Sequence, residues 1–279
     1  MSVRPRSVLL TVPVLALAAG CAERADPATT GPAGRYEVTA TVLESPDHGP
    51  QLCAAVAESL PPQCGGPDIV GWDWADVDDE ESADGTTWGS YRVVGTWDGE
   101  RLTLTEPPGD PGEGPGAPEP DLATPCPAPD GGWAIEDTST ATAAGREAAI
   151  AYANEQPDLG SVWLDSGAEL ADVLPDVSEQ AVLDVSFTGD LDRHERELRA
   201  RYGGPTCVTE AERSQAELLE LQQEVHEALG DDALGSSANG RRGVVEVMVT
   251  VVDDDIEQRV AEVDPDGLVE LQGWLQPVK

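Results

Sequence analysis

The sequence predicts two domains of different class: a small all-β barrel or sandwich, then an α+β domain built on a repeated strand-helix-strand unit. Three observations carry this. Residues 35–107 alternate apolar and polar in short runs; residues 108–132 are too rich in Pro and Gly to pack; and past them the period lengthens, with residues 182–208 echoed by 244–270 without a gap. At 279 residues the chain is long enough for each domain to bury a core of its own.

The amino terminus reads as an export signal. Arg4 and Arg6 precede an apolar run from Val8 to Ala19, which is too short to span a bilayer and is interrupted by Pro13. Small residues then lead into Cys21. The stretch "LAAGC" resembles a bacterial lipoprotein signal, although Ala18 stands where the best-matched form has Leu and Leu17 lies one step further out. The resemblance implies cleavage after residue 20, a lipid on the Cys21 thiol, and a partner in the membrane itself on its extracytoplasmic face. Ordinary secretion with a free Cys21 is the alternative, and an unpaired exported thiol invites oxidation. Residues 21–34, rich in Ala, Thr, Pro and Gly, are expected to be a flexible tether.

Export changes how the remaining cysteines are read. Cys53, Cys64, Cys126 and Cys207 are an even set in an oxidising compartment, which favours disulfides over metal ligation. Of the possible pairings, Cys53 with Cys64 is favoured because "AAVAESLPPQ" can turn back on itself, and Cys126 with Cys207 follows by elimination. A loop as short as the first stabilises by about 3 kcal/mol in the chain-entropy account. Zinc would want paired short spacings, and the chain has no C-x-x-C, with His48, His194 and His226 far apart.

In the β domain, 35–107, "YEVTATVLE" puts Tyr36, Val38, Ala40 and Val42 on one face and Glu37, Thr39 and Thr41 on the other. "DIVGWDW" reads as a further strand, with Trp72 and Trp74 on one side. That pair is the candidate binding feature, a stacking platform for a sugar or peptide; cover for a core poor in Phe and Tyr is the simpler role. "YRVVGTWDGERLTLTE" is a hairpin turning at Asp98 and Gly99. The acidic run of residues 73–85 is a candidate calcium chelator, but Glu81 stands where a helix-loop-helix calcium loop needs Gly, and a solvated turn is simpler. No other cofactor is expected.

Residues 108–132 read as an extended, fairly stiff linker, and 133–279 as the α+β domain. There "ATAAGREAAIAYANEQ" is a helix and "GSVWLDS" a strand. The echo then aligns Val182 with Val244, Asp184 with Glu246, Val185 with Val247, Asp192 with Asp254, Glu195 with Glu257 and Leu198 with Val260. Asp192 with Glu195, and Asp254 with Glu257, are expected to cap the helix of each copy. Between the copies Thr209 and Glu212 are expected to open a longer helix ending at Leu229, with Leu218, Leu221, Val225 and Leu229 on one face.

Charge excludes one class of partner. Sixteen Lys and Arg stand against 54 Asp and Glu, a formal net charge of -38, and no basic patch offsets it, so nucleic acid is not an expected ligand even of an oligonucleotide-binding-type barrel. Catalytic signatures are missing as well. His194 in "DRHERE" reads as part of a solvated helix face, and Ser161, Ser166 and Ser186 have no nucleophile-elbow sequence around them. As a whole the chain resembles lipoproteins and secreted proteins of actinobacteria, on "QLCAAVAESLPPQCGGPDIVGWDW" and more weakly on "VLDVSFTGDLDRHERELRARYGGPTCV". The resemblance implies a compartment and carries no activity. The expected function is a non-enzymatic binding or interaction protein anchored in the cell envelope, its partner an envelope component. A protease pro-region-like or inhibitor-like module, and a hydrolase with a carboxylate site, are the alternatives.

Overall fold

The computed structural model describes residues 34–113, 122–165 and 181–278, so the signal, Cys21 and all but the last residue of the tether lie outside the described residues. Among the described residues it is a mixed α+β fold, mainly β, with four α-helices. The alternation read from "YEVTATVLE" becomes β1 (Arg35–Ser45), whose Tyr36, Val38, Ala40 and Val42 are all buried. β2 (His48–Cys53), β3 (Asp68–Val70), β4 (Glu81–Ala83), β5 (Thr86–Trp97) and β6 (Arg101–Leu104) follow.

Pairing closes five of these strands into a ring. β1 pairs with β2, β2 with β3, β3 in parallel with β6, β6 with β5, and β5 returns to β1 along a register from Arg35↔Thr96 to Glu44↔Thr87. Closure leaves these five strands no open edge, and Val38, Val42, Leu52, Ile69, Val93 and Leu102 fill the interior. The β5–β6 hairpin turns at Asp98 and Gly99 as its sequence demands: Gly99 takes φ 99°, and Asp98 Oδ1 accepts from the amides of Glu100 (3.0 Å) and Arg101 (2.7 Å). Those two bonds hold the Asp98 carboxyl below its usual range. β4 adds to the outside of β5 through a second tight turn, in which Asp84 and Gly85 both take positive φ.

Two layers follow. In the first, α1 (Ala143–Asn154) precedes β7 (Leu159–Asp165), β8 (Val182–Phe187), α2 (Leu191–Arg199) and β9 (Thr206–Glu210). β8 is central, antiparallel to β7 and parallel to β9. In the second, α3 (Gln215–Leu229) precedes β10 (Ala233–Asn239), β11 (Val244–Val249), α4 (Asp254–Val263) and β12 (Val269–Gly273), with β11 central in the same sense. Each sheet packs one face on its helices, with Leu183, Val185 and Phe187 in one core and Val245, Val247 and Val249 in the other.

Several local readings change. α3 starts later than Thr209 and Glu212 suggest, because Thr209 and Glu210 are held in parallel pairing with β8; the capping box is Ser214 with Glu217. α4 is capped by Asp253, whose Oδ1 accepts from the Ile256 amide at 2.9 Å, and α2 begins after Asp190 at φ 50° with no side-chain cap. His194, expected on a solvated face, is 0% exposed. Leu191, His194 and Leu198 recur at helical spacing, and that face turns onto the core. The imidazole stacks on Phe187 with centroids 3.7 Å apart, its Nδ1 is 2.9 Å from Tyr152 Oη, and its Nε2 is 2.9 Å from Asp158 Oδ2. Finally the chain returns: β13 (Gln276–Pro277) pairs with β1, and Val251, Trp274 and Leu275 pack with the barrel core.

Candidate functional site

The stretch that holds two cysteines and two tryptophans resolves into a clasp and a cover. Cys53 at the end of β2 is bridged to Cys64, and Ala57 pairs with Gln63 inside the loop, the amide of Ala57 donating to the Gln63 carbonyl at 2.8 Å. β3 ends at Val70, so Trp72 and Trp74 do not share a strand face. Gly71 turns the chain at φ 88°, and Trp74 opens a single turn of 3-10 helix capped by Asp73. The two indoles meet edge to face at 5.3 Å, both lie against Tyr91, and all pack on the barrel core. Trp74 Nε1 donates to Glu44 Oε2 at 2.6 Å, whereas Trp72 Nε1 is buried without an acceptor. Their surfaces are used on one another and on the barrel, as in the covering role. Among the described residues no group of three or more His, Cys, Asp or Glu side chains comes together as a metal site, the acids of residues 73–85 included.

A cleft among the described residues lies elsewhere, against the first layer. In β8 the apolar residues Leu183, Val185 and Phe187 face the helices, so the alternate residues Asp184 and Ser186 face away from them. Across the ladder Trp163 stands opposite Asp184 and Ser161 opposite Ser186, while Cys207 flanks Asp184 on β9. Ser161, Trp163 and Ser186 of this row line one wall of a cleft of about 1020 Å³, with Asp184 buried behind it, and the β10–β11 turn with Glu246 lines the other. The turn is seated closely: a Cβ on Gly240 would stand 2.0 Å from the Gly160 carbonyl oxygen, so only Gly fits there.

Each wall has its own electrostatics. Ser161 and Ser186 join their hydroxyls at 2.9 Å, and the Arg241 guanidinium lies 4.6 Å over the Trp163 ring. Glu246 accepts from Asn239 Nδ2 and from Arg242 Nη1, both at 2.9 Å, and Arg242 also pairs with Glu270. Led by the Asn239 bond, these contacts hold Glu246 below the usual carboxylate range. Asp184 is the opposite case. It is 0% exposed, Thr124 Oγ1 donates to its Oδ1 at 2.6 Å, and its Oδ2 has no partner. Burial above all, with the Asp165 charge adding, pushes its carboxyl up to about 6 against the pull of Thr124 and Arg241.

Residues 122–126, the far end of the Pro- and Gly-rich segment, roof that carboxylate. Cys126 is bridged to Cys207, the Thr124 amide donates to Asp165 Oδ2 at 2.8 Å, and Trp163 Nε1 donates to the Leu122 carbonyl at 3.2 Å. The near end is bonded too, Gly109 pairing with Arg92 of β5. Both bridges have the connectivity favoured from the sequence, the first from its loop and the second by elimination, and the second ties down the residues that roof Asp184. The sequence reading missed Asp184 as a site residue; its signal was a carboxylate inside an otherwise apolar strand, "VLDVSF". No protein-family model matches the chain, and no curated protein matches it.

Proposed function

We propose that this is an exported, lipid-anchored protein of the cell envelope that binds a ligand or partner in the cleft of the first layer without transforming it. The observation that carries the reading is the pair of intramolecular disulfides, because such bonds persist where the compartment is oxidising. The leader before Cys21 and the resemblance to actinobacterial lipoproteins point the same way. Binding is favoured over catalysis because the two serine hydroxyls in the cleft are bonded to each other, and the one acid raised toward neutrality is roofed by Thr124 rather than open to a substrate. The mixed lining of hydroxyls, an indole and paired charges suits a polar ligand held by several convergent groups.

Two finer readings belong with this proposal. The two layers are copies of one strand-strand-helix-strand unit; in support, the offset that carries Val182 onto Val244 also carries the start of β8 onto the start of β11. The ring is an oligonucleotide-binding-type barrel used as a platform, its nucleic-acid role excluded by charge. A hydrolase is the second reading, favoured by Asp184 held at about 6 beside a polar cleft.

Purification of the native protein from membranes, beside a Cys21→Ala form, tests the anchor and the partner together. The native form is expected in the membrane fraction, acylated, with four cysteines oxidised and an envelope component bound; Cys21→Ala is expected in the soluble fraction. An unacylated protein with an intact leader and titratable thiols would contradict the proposal. If Asp184→Asn abolished a hydrolytic activity of the native protein, the second reading would replace it.

A further inference from the structure

Residues 122–126 cross the face of the first sheet away from its helices, and Leu122, Ala123 and Pro125 are exposed. Ties that hold them include the Leu122 carbonyl to Trp163, the Thr124 amide to Asp165, the Thr124 hydroxyl to Asp184, and the Cys126–Cys207 bridge. Of these, the Thr124 hydroxyl bond depends on Asp184. Thr124 joins the two carboxylates, its amide to Asp165 and its hydroxyl to Asp184.

Beneath Thr124 the groups facing Asp184 are few. Asp165 on β7 brings a like charge, and Arg241, from the turn between β10 and β11, brings an opposite one. Its register partners are Trp163 on β7 and Cys207 on β9, neither of them charged. The strap itself contributes only the Thr124 hydroxyl, which reaches Oδ1; Oδ2 is buried with nothing to accept from.

We propose that residues 122–126 form a proton-latched strap along one wall of the cleft, closed while Asp184 is protonated and loosened when it ionises. The physical reason is desolvation. A buried carboxylate with one oxygen unsatisfied is costly, and lifting Thr124 would admit water to that oxygen. The Thr124 bond by itself favours the charged form, but burial outweighs it, so the closed strap prefers the neutral carboxyl. Burial places this titration at about 6, between acid and neutral surroundings. The bridge keeps the loosened strap attached at Cys126, so the change is local and reversible. The latch concerns access to the cleft and does not depend on what the cleft binds or on the Cys21 anchor.

Hydrogen exchange of the disulfide-intact mature chain at about pH 4.5 and about pH 7.5, each corrected for intrinsic exchange, reads the latch directly. The Thr124 amide, which donates to Asp165, is expected to lose about tenfold in protection between the two conditions, the size of a one-unit linkage. Asp184→Asn is expected to abolish the difference and leave the strap protected at both. Thr124→Ser, which keeps the hydroxyl, should retain the response, and Thr124→Val should leave the strap unprotected throughout. Equal protection of the wild-type strap at both pH values, or a response that survives in Asp184→Asn, would overturn the proposal. Should Asp184→Asn fail to fold, the wild-type comparison with Thr124→Ser and Thr124→Val decides it.

Discussion

Asp184 and Glu246 occupy matching places, each on the central strand of its layer, yet their carboxyls move in opposite directions. Glu246 stands beside a turn that supplies an amide and a guanidinium, so its charge is satisfied where it sits. Asp184 has a roof instead, with one hydroxyl for two oxygens. Position on the strand therefore does not set ionisation; what covers the strand does. The acid on one wall of the cleft is electrostatically fixed, and the acid buried behind the other is responsive.

Cutting the Cys126–Cys207 bridge breaks the comparison most severely. The bridge spans 81 residues, and Cys126→Ser with Cys207→Ser is expected to cost about 4 kcal/mol by denaturant unfolding in the chain-entropy account. Hydration of Asp184 should follow, returning its carboxyl toward the ordinary range, where it no longer contrasts with a solvated acid.

Replacing Asp184 sharpens the comparison. Its folded-state affinity for a proton exceeds that of the unfolded chain, so its contribution to stability is fully present below the usual carboxylate range and is lost as pH rises through about 6. Asp184→Asn should remove that slope and raise stability at pH 7 by about 2 kcal/mol, measured as a urea midpoint across pH. The smallest effect is expected at Glu246, which is half-buried and already satisfied by Asn239 and Arg242. Its lowered carboxyl stabilises above the ordinary range and loses that contribution as pH falls. Glu246→Gln should therefore cost less than about 1 kcal/mol at pH 7, and nothing once the wild-type carboxyl is protonated.

Much of this architecture was legible in local pattern. Alternation at Tyr36, Val38, Ala40 and Val42 gave a strand with one buried face, Asp98–Gly99 gave the β5–β6 hairpin, and the short Cys53–Cys64 loop gave one bridge and left the other by elimination. What escaped was set by contacts distant in sequence. Trp72 and Trp74 leave the strand because Gly71 turns the chain, and His194 is buried because Asp158 and Tyr152 come from other elements to receive it. The chain end joins the barrel because β12 delivers Leu275 there, which no local pattern announces. The cleft was hidden for the same reason: its walls are Ser161, Ser186 and the Asn239–Gly243 turn, brought together by tertiary packing. The alternation of "VLDVSF" did put Asp184 and Ser186 on one face, but only the roof over them distinguishes a buried acid from a solvated one.

The contrast between the two walls is most directly tested by following both side-chain carboxyls in one carbon-detected NMR titration of the oxidised protein. The account predicts a midpoint near 6 for Asp184 and one below the ordinary glutamate range for Glu246. Two midpoints inside the ordinary range, or the reverse order, would contradict it.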